Sequence, residues 1–94
     1  MIKIKIAPSH IRIEGHSQPD ICASVSCIMY SHMKLLEKYN ETSYEYTDEN
    51  DRVDIILLFH DEMTDMIWNN MIECFRELFE DAPLGTVHII SLDK

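Results

Sequence analysis

The first six residues, Met1-Ile2-Lys3-Ile4-Lys5-Ile6, place isoleucine at every even position and lysine between them. A period of two sends the isoleucines to one side of an extended chain and predicts a half-buried strand. The period resumes in His10-Ile11-Arg12-Ile13-Glu14, and Ala7-Pro8-Ser9 between the runs is turn chemistry, so the two predict an antiparallel hairpin. From Ile21 the spacing changes. Ile21, Val25, Ile28 or Met29, His32, and Leu35 or Leu36 recur every three or four residues. That predicts an amphipathic helix capped by Asp20, with Pro19 just outside and an end near Asn40.

Tyr44 to Thr47, then Asp48 to Asp51, then Val53 to Phe59 predict strand, polar turn, strand. The run "VDIILLF" is apolar at nearly every residue and predicts a central strand covered on both faces along much of its length. A second helix is predicted over Glu62 to Phe79, with Met63, Ile67, Met71, Cys74 or Phe75, and Leu78 along one side. His60 or Asp61 stands near its start, and Pro83 and Gly85 at its exit. Val87 to Leu92 closes the pattern as a last strand. The order β-β-α-β-β-α-β predicts an α/β (α+β) fold in which two helices pack against a sheet. The 94 residues, 46% hydrophobic, suffice for one core, and a single domain spanning 1–94 is expected.

Charge narrows the partners. Seventeen acidic against eight basic residues give a formal net charge of −9, a surface that repels nucleic-acid phosphates and favours basic clients. No direct nucleic-acid binding is expected. No apolar run reaches the roughly 20 residues needed to cross a bilayer, and the opening lacks the pattern of a secretory signal, so no membrane role and a cytoplasmic location are expected. The odd count of three cysteines without C-x-x-C spacing predicts reduced thiols, with Cys27 and Cys74 in the core. The methionine-bearing face of the second helix, Met63, Met66 and Met71 with Trp68, reads first as core and second as a dimer or peptide-binding surface. His32 reads as a satisfied core or boundary residue, and His60 and His88 as structural residues with no evident partner. His10, His16 and Cys22 match no zinc spacing, so neither metal nor cofactor is expected.

The stretch "EGHSQPDICASVSCIMY" holds the candidate chemistry. With Asp20 as cap, Cys22 falls in the first helical turn, where free backbone N–H groups and the helix dipole favour an anion. His16 ends the preceding strand, with Ser17 to Ile21 as the only spacer, and an adjacent imidazole is the usual means of activating a thiol. From the residues alone, Cys22 reads first as a small buried hydrophobe, which is what a free cysteine most often is, and His16 as a polar strand end.

Gly15-His16-Ser17 followed by Asp20-Ile21-Cys22-Ala23-Ser24-Val25-Ser26 resembles the signature of the ribosomal-processing cysteine protease family, Prp. Members read Gly-His-Ala, a loop, then Asp-Ile-Val-Cys-Ala-Ala-Val-Ser. The resemblance extends to the opening strand, the long first helix and the later strand-helix-strand order. It implies Cys22 as nucleophile, His16 as its base, Ser26 as a hydrogen-bonding support and Asp20 as a weaker counterpart of the family aspartate. It also implies an endopeptidase that removes an N-terminal extension from a large-subunit ribosomal protein, or from a related phage protein, and a homodimer. Two departures mark a divergent or phage-type member: the His-Cys loop is markedly shorter than the family's gating loop, and Asp20 stands one residue closer to the cysteine. The alternative expectation is a non-hydrolytic peptide-binding or assembly module on the same fold.

Overall fold

The hairpin forms as the alternation requires. In the computed structural model, which describes residues 1–92, β1 (Ile2–Ala7) and β2 (His10–Glu14) pair antiparallel with Ile4 opposite Ile13 and Ile6 opposite Ile11. All of these isoleucines, with Ile2, face one side and are buried. Each contributes roughly 1.5–3 kcal/mol by leaving water. Next come α1 (Pro19–Tyr39), β3 (Tyr44–Glu49), β4 (Arg52–Leu57), α2 (Glu62–Asp81) and β5 (Val87–Ser91), giving the predicted order. The sheet runs β3-β4-β2-β1-β5, antiparallel throughout except for β5, which lies parallel to β1.

Both helices bury one stripe into the same core as the isoleucine side of the sheet. From α1 the stripe is Ile21, Val25, Met29, His32, Met33 and Leu36, so Met29 and Leu36 point inward while Leu35 stays half exposed. From α2 it is Thr64, Ile67, Trp68, Met71 and Phe75. The methionine face therefore divides: Met71 is core, whereas Met63 and Met66 lie at the surface. Cys27 is exposed rather than buried, because it lies off the α1 stripe, and Cys74 is half-buried. All three thiols are free.

Among the described residues the opposite side of the sheet carries no second layer. β4 is accordingly covered on one face only, a correction to the two-sided burial that its apolar run suggests. Ile55 and Leu57 enter the core, while Asp54 stands on the open face. There its Oδ1 accepts from His10 Nε2 at 2.7 Å and from Arg12 Nε at 2.8 Å. Burial raises the Asp54 pKa, but the hydrogen bonds from Arg12 and His10 and the Arg12 charge outweigh it and hold the carboxyl below the usual range. The strand also ends early. Leu58 and Phe59 leave the sheet and are exposed, the Leu58 N–H donating to the Ser43 carbonyl at 2.7 Å.

Candidate active site

Three turns meet at one end of the sheet. The first is the chain leaving β2, Gly15 to Gln18. Gly15 has φ +92°, and a Cβ there would lie 2.4 Å from the Met1 carbonyl oxygen, so only glycine lets β2 pass this close to the start of β1. The Met1 amino group donates to the His16 carbonyl at 2.7 Å. The second is the β3–β4 turn, where Asn50 and Asp51 both adopt the left-handed conformation, φ 57° and 59°, the geometry that joins tightly paired antiparallel strands. The third is the first turn of α1. Together they enclose a shallow groove of about 290 Å3, floored by Ile2, Ile13, Val25 and Val53 and edged by His16, Cys22, Ser26, Asp48 and Asp51.

His16 and Cys22 thus share one groove, with Ser26 one helical turn beyond the cysteine. Their polar atoms are engaged elsewhere. The Cys22 thiol donates to the Ser17 carbonyl at 3.6 Å. His16 Nε2 lies 3.3 Å from Asp51 Oδ1, with both side chains largely exposed, 73% and 78%. The His16 ring is thus held by an exposed contact with Asp51 rather than by packing.

The helix start differs from expectation in a way that bears on chemistry. Gln18, not Asp20, is the N-cap, and it makes no side-chain cap hydrogen bond. Pro19 is the first helical residue rather than an outsider, since proline's fixed φ suits that position and its missing N–H costs nothing there. Asp20 falls inside the first turn, its Oδ1 accepting from the Ile21 N–H at 2.9 Å. The Cys22 N–H closes the first helical bond to the Gln18 carbonyl at 3.0 Å. Of the early N–H groups, those of Gln18 and Asp20 are left without a partner among the described residues. Any oxyanion binding at this helix start falls to them.

Asp51 is the residue that sequence reasoning missed. It sits 35 positions beyond His16 in what reads as an ordinary polar turn, and only the pairing of β2 with β4 carries that turn to the histidine. Among the described residues no group of three or more metal-binding side chains converges, and no helix is long and apolar enough to cross a membrane.

Searches by sequence match no family model and no curated protein. Comparison with solved structures finds similar folds. The essential ribosomal processing protease Prp from S. aureus, in complex with a covalently linked product peptide, superposes with TM-score 0.87 at 12% identity, over 98% of this chain and 100% of that one. The same protease in complex with a substrate peptide gives TM-score 0.87 at 10% identity over the same shares. SMU.848 from Streptococcus mutans gives 0.78 at 16% identity, over 100% of this chain and 96% of that one. The chain therefore has the fold of the ribosomal processing protease Prp.

Proposed function

We propose that this protein is a cysteine endopeptidase that trims an N-terminal extension from a large-subunit ribosomal protein or a related phage protein. One observation carries the reading: the two residues with nucleophile and base chemistry, Cys22 and His16, stand on the same groove of a fold shared with a protease that has been crystallised with a covalently linked product peptide. The net charge of −9 adds agreement in sign with a basic ribosomal client.

The residues act as follows. A peptide in the groove displaces the His16 ring from Asp51 toward the sulfur, and Nε2 takes the Cys22 proton. The thiolate attacks the scissile carbonyl carbon, and the oxyanion falls to the free N–H groups of Gln18 and Asp20 at the positive end of α1. His16 returns its proton to the leaving amine. Water then attacks the thioester through the same base and frees the acid. Ser26 supports the sulfur side of the groove, and Asp51 is a positioning residue that holds the ring when the groove is empty. No cofactor enters. The reading also includes a homodimer and a cytoplasmic location, both tested by fractionation and by molecular mass in solution.

A second reading is favoured by a specific contact. Thiol and imidazole each hold another partner, Ser17 and Asp51, as in a peptide-binding module that keeps the groove without hydrolysis. A ribosomal-protein peptide bearing its extension, followed by mass spectrometry, separates the two. The protease reading expects cleavage that falls at least about 1,000-fold in Cys22→Ala and about 100-fold or more in His16→Ala. Tight binding of an intact peptide by the unmutated chain establishes the binding module instead.

A further inference from the structure

At the end of the sheet opposite Cys22, three side chains from three separate elements form a line. Ser9 lies in the β1–β2 turn, His60 just beyond β4, and Asp65 in the first turn of α2. Ser9 Oγ is 2.8 Å from His60 Nε2, and His60 Nδ1 is 2.7 Å from Asp65 Oδ1. The polarity follows from the partners. An ionised carboxylate only accepts, so Nδ1 carries the ring proton, and in the neutral ring Nε2 is left bare to accept from the Ser9 hydroxyl. Two backbone bonds anchor the flanking residues, the Leu57 N–H to the Ser9 carbonyl at 2.8 Å and the Asp65 N–H to the Asp61 carbonyl at 2.9 Å, while the His60 and Asp65 side chains are about half exposed. The sequence offered no such link, because Ser9 and His60 stand 51 residues apart.

We infer that Ser9, His60 and Asp65 form a second, serine-based nucleophilic site that accepts the acyl group of small carboxylic esters. Nucleophile, base and orienting carboxylate stand in the relation that activates a hydroxyl on many unrelated folds. A cleft of about 190 Å3 opens at Ala7 and Pro8, immediately before Ser9, with Ile72 and Leu92 as apolar lining and Asn69 and Arg76 as polar donors. Asn69 is one helical turn beyond Asp65, on the same side of α2, and supplies an amide at the cleft. The volume admits a short acyl chain and not a folded peptide.

The reaction balances without a co-reactant other than water. As Ser9 Oγ bonds to the ester carbonyl carbon, its proton passes to His60 Nε2. Collapse of the tetrahedral species breaks the bond to the alkoxide, which takes that proton and leaves as alcohol. Water then attacks the acyl-serine, delivering a proton to Nε2, and the acid departs as that proton returns to Ser9. Asp65 holds Nδ1–H throughout and acts as a positioning residue.

The test uses a reporter-tagged fluorophosphonate and p-nitrophenyl acetate on the full chain carrying Cys22→Ala and Cys27→Ala, which removes the thiol of the proposed peptidase site and the exposed thiol of α1. Peptide mapping is expected to place the phosphonate on Ser9, with a labelling rate that rises with pH through one imidazole titration. The rate is expected to fall roughly 100-fold in His60→Gln, and Asp65→Asn is expected to lower it and displace its pH profile. Ester turnover should vanish with Ser9→Ala. Labelling of Ser9 no faster than of other serines, or a Ser9 rate indifferent to pH and to His60→Gln, overturns the inference.

Discussion

The two helices of this protein begin in opposite ways. α2 starts closed: the Asp61 Oδ1 accepts from the Thr64 N–H at 2.9 Å, and the Thr64 hydroxyl oxygen accepts from the Asp61 N–H at 2.9 Å. The buried Thr64 also donates to the Phe59 carbonyl, and the Tyr39 hydroxyl donates to Asp61 Oδ2 at 2.6 Å. Such a reciprocal box consumes the free donors of a helix end. α1 starts open, on a Gln18 that offers no side-chain cap, after four residues of exposed or half-exposed chain. The candidate nucleophile stands at the open end. Donors left unsatisfied by the chain are the ones a reacting carbonyl oxygen can use, which is why the proposed reaction is placed at the open start.

Four changes break or sharpen that contrast. Gly15→Ala, at the foot of the open end, should cost most, about 2 kcal/mol or more in denaturant unfolding. It forces a side chain into a left-handed φ and against the Met1 carbonyl. Because it displaces His16, peptide cleavage should fall with it; unaltered stability would show that the β1–β2 end relaxes freely. Thr64→Ala opens the closed end and should cost about 1–2 kcal/mol, since it strands the Asp61 N–H and the Phe59 carbonyl.

Gln18→Ser runs the other way. A capping hydroxyl at the open end should stabilise the fold by about 0.5–1 kcal/mol while slowing peptide cleavage, because the new cap competes for the N–H groups the reaction needs. A stabilised variant with undiminished cleavage would remove the helix start from the mechanism. The smallest effect concerns acid. The Asp61 carboxyl is held below its ordinary range, first by the Thr64 backbone N–H and then by Tyr39. A lowered folded pKa gives stability that is complete above the unfolded value near 4 and disappears as pH falls through the folded one. The melting temperature should therefore drop more steeply below about pH 4 in the unmutated protein than in Asp61→Asn, which keeps a capping oxygen.

Much of the fold was legible in the sequence. The alternation in "IKIKI" and "HIRIE" dictated the hairpin, whereas the need for glycine at position 15 appears only with its φ of +92° and the Met1 carbonyl beside it. The misreadings have definite causes. Proline is read as a helix boundary from outside, yet its fixed φ made Pro19 the first helical residue and moved Asp20 from cap to interior. An apolar run such as Val53 to Phe59 does not say how many faces will be covered, and a single helical layer left Asp54 on the open side. Met63 and Met66 are apolar but lie off the buried stripe of α2, which the choice of inward face alone decided.

The sequence by itself determined the order of elements, their periodicity and the presence of a histidine and a cysteine separated by five residues. These are local properties, set by side-chain spacing and backbone preference within a few residues. Tertiary structure alone decided that Asp51 meets His16, that His60 spans Ser9 and Asp65, and that one helix start is sealed while the other stays open. Strand pairing and packing bring together positions far apart in the chain, and no local pattern records which of them will meet.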